Sequence, residues 1–412
     1  MPDSPESTQL RRSLGLSLVV FYGLGNILGA GIYVLVGKVA GAAGLLAPVA
    51  FLLSALVASL SAFSYGELAS RYPVSAGEAV YIQRGLGWRP LSIAVGIFIS
   101  IAGMVSSAAI AKGFVGYLHV FVATPDWLAI ILLLLVLGTL AGWGINQSVR
   151  VASLITVIEI GGLLLVIGVG SGSLLTLPDR LPEINGLLGS GAAWSGVLLG
   201  AFLAFYAFLG FEDMVNVAEE VKEARTNLPK AIVIALVVST LLYMAVALVA
   251  VLSVSPSVLA KSTAPMATVF ERATGSKPLV IGLIGMFAVI NGALIQIIMV
   301  SRVLYGMSRQ GWIPAGFGHI NSTTRTPLLA TSLVVFCVIV FALWVPLVAL
   351  AGVTSFLLLI VFTLVNLSLI RIKRREPRPE GVVLYPDWVP IGGLVLSVAL
   401  IAVSLVFGIY SA

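Results

Sequence analysis

Apolar residues in this chain run on for about twenty positions at a time, with short polar segments between the runs. Helix rise makes ~20 apolar residues the length that crosses a hydrocarbon core. Eleven stretches meet that pattern: residues 15–38, 45–69, 91–118, 126–145, 149–171, 194–218, 229–254, 278–306, 327–346, 350–371 and 388–410. The pattern therefore predicts an all-α integral membrane protein of eleven spans. Arg71 to Tyr81 is too polar to cross and predicts a short helix on the cytoplasmic face. Residues 173–193 and 255–277 predict two long outer loops, the second with a helix around Met266 to Ala273. Two of the spans carry interruptions. One is Gly23-Leu24-Gly25-Asn26-Ile27-Leu28-Gly29-Ala30-Gly31, and the other is Phe205-Tyr206-Ala207-Phe208-Leu209-Gly210 followed by Glu212 and Asp213.

Composition agrees with this map. The chain has 412 residues, of which 59% are hydrophobic and 10% charged, and its mean hydropathy is +1.11. Cytoplasmic loops retain Lys and Arg, so the basic residues orient the spans. With the N-terminus cytoplasmic, most of the 23 Lys and Arg fall on the inner side, among them Arg71, Arg84, Lys222, Arg302, Arg309 and Arg374. The net charge of +6 then follows from topology and calls for no nucleic acid. The cluster at Arg371, Lys373, Arg374 and Arg375 reads as an anchor after the tenth span or as a contact with anionic lipid. The polar start, Met1 to Thr8, lacks the pattern of a cleaved signal, so the first span is expected to be retained. The chain is read as multi-pass in the plasma (inner) membrane. The single cysteine, Cys337, excludes an intrachain disulfide.

The rhythm of the first five spans returns in the next five, each set beginning with an interrupted span. An odd number of spans per set inverts the second relative to the first. Residues 15–171 and 194–371 are thus predicted to form a 5+5 inverted repeat within one transporter domain, 1–412, with 388–410 an additional span. A break inside a span leaves backbone groups unpaired, and these persist where they line a cavity or hold a ligand. The NH groups that open the half-helix near Ala30 and Gly31 suit a carboxylate. Carbonyls ending the preceding half, with those around Tyr206, Ala207 and Leu209, suit an ammonium. The pair of breaks accepts a zwitterion.

Four motifs in order resemble the amino acid, polyamine and organocation permeases. They are Gly25 to Tyr33, Pro73 to Tyr81, Phe205 to Glu212 with Ala218-Glu219-Glu220, and Ser301 to Pro314. The resemblance implies a leucine-transporter-like fold with discontinuous first and sixth helices, and alternating access. It places a substrate carboxylate on the backbone at Gly29, Ala30 and Gly31, and the amine on carbonyls of Ile27, Tyr206 and Leu209, with Phe205 as an aromatic lid. The chain departs from the family in having eleven spans where many members have twelve, and Gly77-Glu78 where relatives often have Gly-Gly.

Glu159 falls about 15 Å along its span, near the bilayer midplane, where an ionisable group is costly unless paired or used. Proton coupling, a structural pair or hydrogen bond, and a cation site are the readings open to it, with Lys112 a potential partner. The eighth span has no Ser or Thr from Lys277 to Val300, which disfavours sodium; its Asn291 and Gln296 suit hydrogen-bond nodes. Met104, Ser106 and Ser107 of the third span, with Asn291, are expected to line the side-chain pocket. Glu212 and Asp213 read as capping carboxylates or as contacts for a cationic side chain. His119 and His319 stand apart, so no metal or cofactor is expected. These patterns favour a secondary transporter of α-amino acids, a proton symporter or exchanger. An amino-acid-binding sensor or scaffold is the alternative, and cationic amino acids or polyamines are the alternative substrates. The chain has no phosphate-cradling sequence or nucleophile with base, so an enzyme is not expected.

Overall fold

A computed structural model describes residues 10, 12–118, 121–122, 124–262, 264–345 and 347–406. Among these residues the chain is helical, with one isolated parallel bridge between Leu14 and Val221. The long helices are α1 (Leu16–Ala43), α2 (Ala47–Arg71), α4 (Arg89–Leu118), α5 (Asp126–Trp143), α6 (Ile145–Gly170), α8 (Gly191–Ala207), α9 (Ala224–Ser253), α12 (Leu279–Arg309), α13 (Leu328–Trp344), α14 (Leu347–Arg375) and α15 (Trp388–Val406). Short helices join them: α3 (Gly77–Leu86), α7 (Leu177–Leu188), α10 (Pro256–Lys261) and α11 (Pro265–Thr274). Nine helical stretches among the described residues are long and apolar enough to cross a membrane, and two more apolar helices, Leu328–Trp344 and Trp388–Ala402, are shorter.

The expected helix in the second outer loop is α11. The first outer loop also holds a helix, α7, which the sequence pattern missed because Pro182 sits inside it. The helix expected on the cytoplasmic face begins later in the chain: α2 continues through Arg71, and α3 starts only after Ala76, whose φ of 57° turns the chain. His119 lies outside the described residues, and of Ala30 only the backbone is described.

Small residues decide how closely the helices approach. Ala47, Ala50, Ser54, Ala55, Ala58 and Ala62 are all buried on α2, which packs along α9 and α8. Without long side chains in the way, backbones come near enough for dispersion and hydrogen bonding to replace the missing hydrophobic drive inside lipid. The Ser54 hydroxyl duly donates to the Ala201 carbonyl of α8. Likewise α1 packs on α8, α4 on α12, and α5 on α13.

Two helices break at the centre. In α1, Gly29 adopts φ −45° and ψ −132°, outside helical values, and helix resumes after it. At the end of α8 the chain turns through Phe208 to Gly210, then continues as a 3₁₀ segment over Glu212–Glu220. Gly210 has φ 126°, a torsion that a side chain would strain. Both interruptions legible in the sequence are therefore real breaks. The second restarts as a tighter 3₁₀ turn rather than as an α-helix.

Candidate functional site

The breaks face each other because nothing bulky separates them. A Cβ on Gly31 would stand 2.8 Å from the Ala207 Cα, so the strand of chain after the first break rests directly on the end of α8. Tyr243 of α9 ties the pair together. Its hydroxyl lies within hydrogen-bond reach of the Ile27 carbonyl, and of the Ala207 carbonyl at 2.9 Å, and its single proton serves either. The ring is held edge-on by Phe51 and Phe208, with centroids 5.6 and 5.0 Å away. One side chain from a third helix is thus the donor shared by a carbonyl beside each break.

On the other side of the breaks, polar side chains converge. Asn26 Nδ2 donates to Asp213 Oδ2 and to the Gly210 carbonyl at 3.1 Å. Gln296 Nε2 of α12 donates to the same Asp213 oxygen at 2.6 Å, and the Gly210 NH donates to Glu212 Oε2 at 2.8 Å. Asp213 and Glu212 are 2% exposed, so these internal donors stand in for the water each carboxylate lacks. Around this node lies a cavity of about 60 Å³, whose wall includes Asn26, Ile27, Gly31, Tyr206, Leu209 and Asp213.

The expected site residues divide. Ile27, Gly31, Tyr206 and Leu209 line the cavity; Gly29, Phe205, Ala207, Met104, Ser107 and Asn291 do not. Phe205 turns away to meet Phe362 edge-on at 6.2 Å, and Tyr206 supplies the aromatic ring instead. Adjacent helical residues point about 100° apart, so only one of the two faces inward. The same geometry selects Ser106 over Ser107, whose hydroxyl donates to the Ala293 carbonyl at 3.3 Å. Of the expected ammonium acceptors, the Ile27 carbonyl already receives Tyr243 and the Tyr206 carbonyl receives the Leu209 NH at 3.2 Å. Each keeps a second lone pair. Gln296, expected as a hydrogen-bond node, is one, and it also lines the cavity; Asn26 and Tyr243 are the residues at the breaks to which the sequence assigned no role. Asn26 and Gln296 carried a signal as polar residues inside apolar spans; Tyr243 carried none.

Behind α1, α6 carries Glu159 and Thr156 on one face, three positions apart. Glu159 is fully buried, its backbone carbonyl accepts the Tyr33 hydroxyl at 2.8 Å, and neither carboxylate oxygen meets hydrogen-bond geometry with a described residue. Lys112 forms no ion pair with it. Asn291 is a polar neighbour of Glu159 and donates to Thr156 Oγ1 at 3.0 Å; Thr156 in turn donates to the Phe21 carbonyl of α1 at 3.2 Å. Glu159 is thus a carboxyl group one helix away from the first break, with its oxygens unclaimed.

The 3₁₀ segment closes the other end. Arg302 Nε and Nη2 meet the two Glu220 oxygens at 3.3 Å each, and both side chains are wholly buried. The Glu220 carbonyl accepts from Ser13 and Leu14, which fastens the segment before α1 to the same point. Asn216 accepts the Gly77 NH at 3.1 Å and donates to Glu78 at 3.2 Å, joining α3. Burial pushes the Glu78 carboxyl up to about 8. Beyond the pair, half-buried Glu219 accepts the Ser75 NH at 3.0 Å, and Lys222, Glu223 and Arg225 are exposed.

Broken helices packed round a small cavity with a cluster of polar side chains in its wall define a class, the polytopic helical membrane proteins with discontinuous helices. Comparison supplies the family: the profile described as "Amino acid permease" matches residues 14–411, and the chain belongs to that family. It is 28% identical to the cationic amino acid transporter 3, mitochondrial, of Arabidopsis thaliana, over 93% of this chain and 64% of that one. It is 27% identical to a branched-chain amino acid permease of Bacillus subtilis, over 89% of this chain and 82% of the relative. A methylthioribose transporter of the same organism is 27% identical over 94% and 86%.

Proposed function

We propose that this protein is a secondary transporter of α-amino acids that works by alternating access. The observation that carries the reading is the cavity lined by Asn26, Ile27 and Gly31, which flank the Gly29 break, and by Leu209 and Gly210 of the turn after α8, in a chain of the amino acid permease family. The backbone at Gly29, Ala30 and Gly31 receives the substrate carboxylate, and the free lone pairs of Ile27 and Tyr206 with the Leu209 carbonyl receive the amine. The fold is a leucine-transporter-like 5+5 inverted repeat with an eleventh span. Support comes from the pairing of α1 with α8, α2 with α9, α4 with α12 and α5 with α13, in which each helix packs on its counterpart in the other half. The N-terminus is cytoplasmic, in the plasma membrane.

Glu159 is the proton carrier in this reading. Its unclaimed oxygens sit beside the Asn291–Thr156–Phe21 chain of hydrogen bonds that reaches α1, so a change in its charge acts directly on the helix that holds the substrate. The relatives' names cover cationic amino acids, branched-chain amino acids and methylthioribose. Glu212 and Asp213 each commit one oxygen to internal donors, Oε2 to the Gly210 NH and Oδ2 to Asn26 and Gln296, which favours a neutral amino acid. A cationic amino acid or polyamine is the second reading, favoured by the place of Asp213 on the cavity wall.

Purified protein in proteoliposomes, offered a panel of labelled amino acids with and without an inward proton gradient, tests this. Wild type is expected to accumulate substrate when the gradient is imposed, and Glu159→Gln to lose that accumulation while retaining exchange. Gradient-driven uptake unchanged in the variant sinks the role of Glu159. Binding without uptake or exchange in folded protein makes the chain a sensor instead.

A further inference from the structure

Away from the breaks, a second cavity of about 420 Å³ opens where the ends of four helices meet on the predicted cytoplasmic face. Its wall holds Arg84 from α3, Arg89 from the first turn of α4 and Arg375 from the last turn of α14, together with Gln83, Gln310 and Trp312. Among the described residues no Asp or Glu lines it, and none of the three guanidinium groups lies within ion-pair distance of a carboxylate. Each is instead positioned by an uncharged partner. Arg84 stacks 5.7 Å over the Tyr72 ring, Arg89 Nη2 donates to the Gly311 carbonyl at 2.8 Å, and Arg375 Nη1 to the Arg84 carbonyl at 3.5 Å.

Three like charges held around one concavity repel one another, and a multivalent anion relieves that repulsion while accepting paired hydrogen bonds from the planar guanidinium forks. We infer that this cavity binds a phosphate group, carried by an anionic lipid headgroup or by a soluble phosphate, with Trp312 and the two glutamine amides bounding the remainder of the ligand. Basic cavities between helix ends on the cytoplasmic side are suited to such headgroups. Bound there, the phosphate joins the α3–α4 turn to the ends of α12 and α14, so occupancy is read out as stability.

The test uses the full chain in a zwitterionic detergent, with thermal unfolding followed at constant ionic strength. The probes are short-chain phosphatidylglycerol, short-chain phosphatidylcholine and inorganic phosphate. Phosphatidylglycerol raising Tm where the other two do not assigns a headgroup; inorganic phosphate raising it as well assigns a free phosphate. In either case the triple variant Arg84→Gln, Arg89→Gln, Arg375→Gln is expected to lose the shift and weaken binding at least tenfold. Arg371→Gln with Arg374→Gln, basic residues of the same helix end outside the cavity, is expected to keep it. Equal loss in that control, or no Tm shift with either phosphate probe, overturns the inference. Should the triple variant not fold, Arg84→Gln alone serves, and an undiminished response there also overturns it.

Discussion

At the scale of the residue, the site is held by a few contacts that a single atom decides. Tyr243→Phe keeps the ring against Phe51 and Phe208 and removes only the hydroxyl that serves the Ile27 and Ala207 carbonyls. A buried acceptor left without its donor costs about 1–3 kcal/mol. The variant is therefore expected to unfold earlier in denaturant by that amount, and an unchanged midpoint would show the hydroxyl to be idle. Glycines offer a sharper contrast. Gly31→Ala drives a methyl to 2.8 Å from the Ala207 Cα, an overpacking of about 1–3 kcal/mol. Gly161→Ala in α6 meets nothing within 4 Å and is expected to be neutral or to gain up to about 1 kcal/mol from helix propensity. Thermal melts of the two in the same detergent check the pair of signs.

At the scale of the element, the 3₁₀ segment is fastened to its surroundings by charge. Replacing Arg302 with Met leaves Glu220 buried without its cation, and breaking a buried pair from one side costs about 3–5 kcal/mol. Limited proteolysis is expected to cut the variant near residues 212–223 well before wild type does, and matched cleavage rates would count against the pair as a fastening. Helix α3 carries a pH dependence. Because the Glu78 value in the folded protein, about 8, lies above that of an unfolded carboxylate, the folded chain holds this proton more tightly. Its stabilising contribution is complete below about pH 4.3 and declines as pH rises through about 8, at up to about 1.4 kcal/mol per pH unit. Glu78→Gln mimics the protonated form, so its stability is expected to fall less than that of wild type between pH 5 and 8 in parallel unfolding series. Parallel curves would place the pH response elsewhere.

At the scale of the whole molecule, the described residues form a bundle of helices, and the candidate site lies where α1 and α8, packed on each other, both break. Much of this was legible from residues alone. Runs of about twenty apolar positions, Arg and Lys on alternate loops, and glycines crowded at 23–31 follow from the bilayer and from backbone sterics, which act locally on any sequence. The place of Glu159 near the middle of α6 was legible too, since helix rise converts position into distance. The identity of the cavity wall was not. Tyr206 rather than Phe205, and Ser106 rather than Ser107, depend on the rotation of each helix about its axis, which packing against α12 and α14 sets. Asn26, Asp213 and Gln296 meet across separations of 187 and 83 residues, and no local rule brings them together. The sequence by itself determined that this protein crosses a membrane, that two of its helices break, and where. Tertiary structure alone decided which side chains close around the breaks, because hydrogen bonds and close contacts between helices have no counterpart in the periodicity of any one of them.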